Sequence, residues 1–218
     1  MIRVGGMTPL TTVDFPGQLA AVLYLQGCPW RCGYCHNPEL LPARGDQVIP
    51  WPRIEAFLHC RRGLLDGVVF SGGEPTSQAT LVDAVARVKA LGYRAGLHTG
   101  GMYPARLRQL LPLLDWIGLD IKANDEAYDR ITGRRGSARP VHDSLDAILE
   151  SGISCECRTT WHPQLFPVAE LYRLAASLAR RGVSHWAVQV RRGVPAPGEV
   201  VDRSRLADLF ESFQWRDG

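Results

Sequence analysis

Six short apolar runs, separated by amphipathic stretches, predict an α/β protein built on a parallel sheet. The unusual polar sequences all follow the C-terminal ends of those runs, the edge where parallel α/β folds bind ligands. The chain has 218 residues, whereas a complete eight-unit barrel usually needs about 250. About six strand–helix units therefore suggest a partial, open β/α barrel. Several loops meeting at one mouth also suit a barrel better than a flat sheet, which binds mainly at its switch point. At this size folding buries roughly 70% of the unfolded chain's surface. Residues 1–218 are accordingly read as a single domain.

Strands are expected at residues 19–26, 67–71, 94–99, 116–121, 153–159 and 186–190, each rich in Val, Ile, Leu or aromatics. Helices are expected between them. Residues 52–62 open on a proline, which suits a first helical turn. Residues 78–91 set Leu81, Val85 and Val88 on one face and stop at Gly92. Residues 103–111, 143–150, 168–180 and 203–213 follow. In the stretch 168–180, Leu171, Leu174, Ala175 and Leu178 form the buried stripe. There is no internal repeat or low-complexity segment, and residues 194–198 (VPAPG) make a local break rather than a linker.

Composition narrows the function classes. With 45% hydrophobic and 22% charged residues the chain is neither collagen-like nor disordered nor a coiled coil. A net charge of +3 is too mild to imply a nucleic-acid partner. The longest apolar stretch, around residues 19–26, falls far short of the ~20 residues that span a bilayer. The first ten residues lack the apolar core of a secretory signal. A cytoplasmic protein without a membrane partner is expected. The basic residues are almost all arginine, with Lys89 and Lys122 the two exceptions. A lysine at a motif position therefore stands out. Arginine pairs at 61–62, 134–135, 180–181 and 191–192 are scattered, and read as solvated helix ends and loops.

Six cysteines without an export signal point to metal binding or catalysis before disulfides. Cys28, Cys32 and Cys35 fall within eight residues. A structural zinc would want four ligands, and His36 could be the fourth, although adjacent ligands strain a tetrahedron. Cys32–His36 also matches the C-x-x-C-H of haem attachment, which requires export and leaves Cys28 without a role. An iron–sulfur cluster takes thiolates, and three cysteines would leave one iron of a four-iron cluster open. That reading is preferred. Cys60 reads as a helix core residue, while Cys155 and Cys157 share one strand face expected to line the barrel interior.

The C-x3-C-x2-C spacing with Tyr34 before its last cysteine resembles the radical S-adenosylmethionine (SAM) superfamily. Residues 13–17 (VDFPG), 26–29 (QGCP), 34–38 (YCHNP) and 71–75 (SGGEP) together resemble the activating enzymes of glycyl radical enzymes. Among these the chain is most similar to anaerobic ribonucleoside-triphosphate reductase activating proteins. The resemblance runs from about residue 8 to about residue 190 and thins after Thr99.

This resemblance implies a [4Fe–4S] cluster on Cys28, Cys32 and Cys35, whose open iron chelates SAM. Reductive cleavage of SAM then yields a 5′-deoxyadenosyl radical that abstracts one hydrogen atom. It also implies a glycyl radical enzyme as partner and a low-potential electron donor such as flavodoxin or ferredoxin. Gly72 and Gly73 would expose backbone to the SAM amino group, Glu74 would shape that site, and Lys122 of Asp120-x-Lys122 would reach the SAM carboxylate. Tyr34, His36, Thr99 and Arg158 carry over as further SAM-site residues. Related activating enzymes commonly read Asp-Thr-Asn-Gly where this chain has His98-Thr-Gly-Gly101, a departure that leaves a monovalent-cation site open. Small-molecule radical chemistry, such as ring contraction in deazapurine synthesis, and activation of another glycyl radical enzyme are the alternative activities.

Overall fold

The computed structural model describes residues 1–45, 48–191 and 200–217, so the break at 194–198 lies outside the described residues. One sheet runs in chain order: β1 (Val4–Thr11), β2 (Ala20–Leu25), β3 (Gly67–Gly72), β4 (Arg94–Thr99), β5 (Trp116–Asp120), β6 (Cys155–Trp161), β7 (His185–Val190) and β8 (Ser212–Arg216). β1 is antiparallel to β2, and every later pairing is parallel. Among the described residues nothing pairs β1 with β8, so the barrel stays open. Between the strands lie α1 (Trp51–Cys60), α2 (Leu81–Ala90), α3 (Pro104–Leu110), α4 (Asp125–Thr132), α5 (Ala138–Ser151), α6 (Val168–Arg180) and α7 (Arg203–Ala207). No described helix is long and apolar enough to cross a membrane.

Period-two alternation divides the strand side chains between two cores. Leu23, Phe70, Leu97 and Leu119 join Ile54, Val85, Leu145 and Leu171 of the helices in the larger, outer one. Ala20, Val22, Val69 and Trp116 surround Phe15 in a small inner one. Phe15 belongs to the VDFPG turn and stacks on Trp116 with ring centroids 5.7 Å apart. Gly67 and Gly96 make room for it, since an added Cβ would lie 2.9 and 3.3 Å from its ring. The turn is a plug.

Above the plug the interior is polar. His98 Nε2 lies 2.8 Å from the Asp14 carbonyl, which can only accept, so the proton sits on Nε2. Nδ1 then accepts from the Ser71 hydroxyl at 3.3 Å. Burial holds this imidazole neutral and lowers its pKa to about 3. Arg158 bonds Asp120 at 3.2 Å, and Arg216 bonds both oxygens of Glu156.

The six expected strands are β2 to β7, and β1, α4 and β8 are additional. The helix expected over 203–213 ends at Ala207, and Phe213 and Trp215 enter β8 instead. Phe213 there reaches the Trp186 ring at 5.6 Å, burial that a continued helix would forgo. The helix expected at 143–150 starts earlier, at Ala138, and stops at Gly152 in the left-handed region. Two cysteine expectations need correction. Arg158 points inward to Asp120, so alternation turns Cys155 and Cys157 outward, where Cys157 is buried in the outer core. Cys60 is exposed at the end of α1 rather than buried.

His98 gives the fold a pH dependence. Between about 3 and the ordinary value near 6.5 the folded chain binds fewer protons here than the unfolded chain. Its stabilising contribution is therefore full above 6.5 and is lost as pH falls, by up to about 1.4 kcal/mol per pH unit. Urea midpoints at pH 7 and 5.5 should fall less in His98→Gln than in the parent. Parallel losses would show that His98 is not held neutral.

Candidate functional site

The cysteine loop leaves β2 at Gly27, whose φ of +101° favours glycine. Backbone bonds from Gly27 to Leu40 and from Cys28 to Leu41 fix its start, and Cys35 N–H donates to the Cys32 carbonyl. Trp30 is buried and meets Tyr128 of α4 edge-on at 6.0 Å. Cys28, Cys32 and Cys35 are half-buried free thiols. All three line one cleft of about 150 Å³, together with Tyr34, His36 and Lys122. A roomier cavity of about 460 Å³ between α4, α5 and α6 contains none of these groups, so chemistry rather than size marks the site.

Burial pushes the Cys28 thiol up to about 11 and raises Cys32 as well, although the Lys122 charge opposes both shifts. Thiolates here thus need a cation, which a metal centre supplies. Among the described residues no three His, Cys, Asp or Glu side chains converge as one ion's ligand set. The cysteines instead share a wider cleft. Tyr34, 5% exposed, lies in it with its hydroxyl buried and unpaired by protein. Three thiols, an unpaired hydroxyl and an ammonium facing one space fit a multi-iron cluster with a polar ligand beside it.

The end of β3 and the loop after it supply Gly72 and Gly73, whose smallness has a packing cause beside the one expected. An added Cβ at Gly72 would lie 2.3 Å from Leu25 N, and one at Gly73 2.5 Å from the Gly27 carbonyl oxygen. The glycines let this loop pack on the start of the cysteine loop. Glu74 is 1% exposed, and its carboxylate accepts from Thr76 N at 3.0 Å, Thr99 Oγ1 at 2.7 Å and Gly100 N at 2.8 Å, as well as from the Thr76 hydroxyl. Burial raises its pKa against these four hydrogen bonds. Glu74 and Thr99 therefore clamp two loops together with the polar groups turned toward each other. At Gly100 an added Cβ would sit 2.9 Å from Trp30, which gives glycine at that position a packing reason.

The end of β5 supplies the charges. Lys122 Nζ stands 3.5 Å from Asp120 and lies over two rings, 5.8 Å from the centroid of Trp30 and 6.0 Å from that of Tyr34. Burial disfavours its charge, yet Asp120, Tyr34 and Cys32 together push it well above the ordinary lysine value. Burial likewise works against the Asp120 charge, and Lys122 with Arg158 keeps that carboxylate below its ordinary value. Lys122 thus stays an ammonium. Arg158 sits one layer deeper, paired with Asp120 rather than lining the cleft. Sequence reasoning missed Trp30 and Tyr128. Tyr128 Oη lies 3.3 Å from Lys122 N, which donates to it, and 3.4 Å from the Asp120 carbonyl, to which it donates. Only its position six residues after the lysine could have marked it.

Comparison with known proteins accords with this arrangement. Residues 22–165 match the family model for the radical SAM superfamily. The chain is 30% identical over 186 residues to the pyruvate formate-lyase-activating enzyme of Clostridium pasteurianum, covering 83% of this chain and 77% of that one. It is 29% identical over 184 residues to a glycyl-radical enzyme activating enzyme of Methanocaldococcus jannaschii, covering 80% and 75%. In fold it is similar to QueE from Escherichia coli, with a TM-score of 0.66 and 17% identity over 100% of this chain and 93% of that one. SuiB of Streptococcus suis, solved with precursor peptide SuiA, gives 0.66 at 15% identity over 88% of this chain and 48% of SuiB. The radical SAM family uses a [4Fe–4S] cluster and S-adenosylmethionine, which the cleft's donor set suits. The chain belongs to the radical SAM superfamily, among the activating enzymes of glycyl radical enzymes.

Proposed function

We propose that this chain installs a glycyl radical on an anaerobic ribonucleoside-triphosphate reductase, with Cys28, Cys32 and Cys35 holding the cluster. The observation that carries the reading is the meeting of three thiols and the Lys122 ammonium in one cleft at the open mouth of the sheet. When bound, the cluster supplies the low-potential electron that cleaves SAM reductively. Lys122 holds the SAM carboxylate as a compact, strongly charged donor. Asp120 orients that lysine and keeps it protonated, and Arg158 holds Asp120 in place. Tyr34 offers its unpaired hydroxyl and ring face, and His36 contributes backbone contact to adenine. Gly72 and Gly73 bring main chain close to the SAM amino group, while Glu74 and Thr99 hold the loop that carries them.

A partner loop suits this mouth better than a small molecule does. The sheet is not closed, so the protein by itself excludes water poorly from a reactive centre. A glycine-bearing segment that opens locally from its own protein would complete the enclosure, with ordering entropy making the encounter transient.

Anaerobically reconstituted protein should bind about four irons. Replacing Cys28, Cys32 or Cys35 by alanine should abolish reductive SAM cleavage, whereas Cys60→Ala should leave it intact. Tight zinc binding without iron-dependent absorbance would overturn the cluster assignment. For Lys122→Ala, SAM affinity measured by calorimetry should fall about 10- to 150-fold, the worth of a charge-assisted contact, with iron content unchanged. Equal affinity would leave Lys122 only its pairing with Asp120. Reduced enzyme, SAM and an anaerobic ribonucleotide reductase, mixed without oxygen, should give a glycine-centred EPR doublet on the reductase. Efficient turnover of a small molecule with no such doublet would reject the activase reading.

A further inference from the structure

The arginine pair at 134–135 sits where a solvated helix end has no reason to be so firmly built. It is bracketed by Gly133 and Gly136, both in the left-handed region with φ of +67° and +69°. The Asp129 carboxylate accepts from Gly136 N at 2.8 Å and from Ser137 N and Oγ, each at 2.9 Å. Thr132 and Ser137 hydroxyls meet at 2.7 Å across the base of the turn. Arg134 and Arg135 are thus held outward on a rigid loop, exposed and without any side-chain hydrogen bond or ion pair among the described residues.

That loop is fastened to the cysteine loop. Arg31 N donates to the Thr132 carbonyl at 2.9 Å, and an added Cβ at Gly133 would lie 3.2 Å from the Arg31 carbonyl. Arg31 is itself exposed and falls between Cys28 and Cys32. Its guanidinium binds the Cys28 and Trp30 carbonyls at 2.6 and 2.8 Å, which leaves the rest of its charge facing solvent. Asp129 spends its hydrogen bonds on the turn, with the Arg135 charge near enough to lower its pKa further, and Asp125 bonds His142 at 2.6 Å. Three fixed positive charges therefore flank the cysteines on the side of α4 and α5.

A cluster that must be reduced from outside needs a place where a reduced protein can come close, because electron transfer falls steeply with distance. We propose that Arg31, Arg134 and Arg135 form the docking surface for an acidic one-electron carrier protein. The step moves one electron from the reduced carrier to the oxidised cluster, with no atom transferred and no bond broken. This inference rests on the cluster assignment made above. Fixed surface charge acts mainly on encounter, raising association rates roughly 10- to 1,000-fold at low salt and less as ionic strength rises.

The test uses the reconstituted chain and a recombinant flavodoxin as the acidic probe. In the oxidised state, where no reaction occurs, calorimetry should show binding that weakens with salt and falls about tenfold or more in the double variant Arg134→Glu, Arg135→Glu. The control is Arg61→Glu with Arg62→Glu, the same charge change just after α1, on the segment that leads into the start of β3. It should bind like the parent. Stopped-flow reduction of the cluster by the carrier should follow the same order, whereas photochemical reduction without a carrier should be alike in all three. Equal binding in all three proteins, or an equal loss in both double variants, would overturn the docking surface. Failure of the photoreduced parent chain to cleave SAM would instead reject the cluster assignment, and the docking surface with it.

Discussion

One buried carboxylate holds the mouth of this sheet together. Removing the Glu74 charge from water would cost several kcal/mol if its oxygens went unpaired. Here they collect four donors, two of which are main-chain N–H groups whose positions the loops themselves define. The Glu74 N–H in turn donates to the Gly27 carbonyl at 2.9 Å, directly before Cys28. The loops after β2, β3 and β4 are therefore one hydrogen-bonded body. Gly72, Gly73 and Gly100 are glycines because that body leaves no room for a Cβ. The cysteine loop inherits its placement from this clamp.

Much of this was legible in the sequence, for reasons that differ from part to part. The parallel strands β2 to β7 bury both faces and so appear as apolar runs, and α2 and α6 repeat leucine and valine at helical spacing. The cysteines declare themselves by residue type and spacing. Lys122 stands out against the arginines around it. β1 was not legible because it reads VGGMTPLT, a half-buried edge strand with two glycines and a proline. α4 has a single polar-rich pair of turns, with Tyr128 and Ile131 turned inward. β8 is five residues long and follows a real helix start capped by Asp202, so the helical pattern ran on past its end. The glycine loop was found for a ligand's sake, while its neighbours in space set its composition. Contacts 47 residues apart leave no local trace.

The inner wall explains how so short a chain keeps an open barrel in shape. A closed barrel fills its centre with layers of branched apolar side chains from every strand. Here Phe15 fills the bottom, delivered by a turn before β2, and neutral His98 ties that turn to β3 and β4. The layer above uses ion pairs instead, Asp120 with Arg158 and Glu156 with Arg216. Those pairs bridge β5 to β6 and β6 to β8, on the side of the sheet away from β2. Charge pairing there does the spacing that apolar packing does near β2. It also leaves a polar wall under Lys122, which sustains an ammonium where an apolar layer would disfavour one.

The same arrangement separates the two encounters that the proposed chemistry demands. A radical acceptor must reach the cleft through the open mouth, past Lys122 and Tyr34. An electron must arrive while that mouth is filled, since an acceptor loop is what keeps water out. If both partners used the mouth they would exclude each other. α4 resolves this by carrying Tyr128 under Trp30 on one side and leading into the Gly133–Gly136 turn on the other. One short helix thus fixes the lysine, supports the cysteine loop and presents arginine beside it, outside the mouth. A chain whose radical site is enclosed by its partner needs a second face for its electrons, and the proposed docking surface at the turn after α4 supplies one.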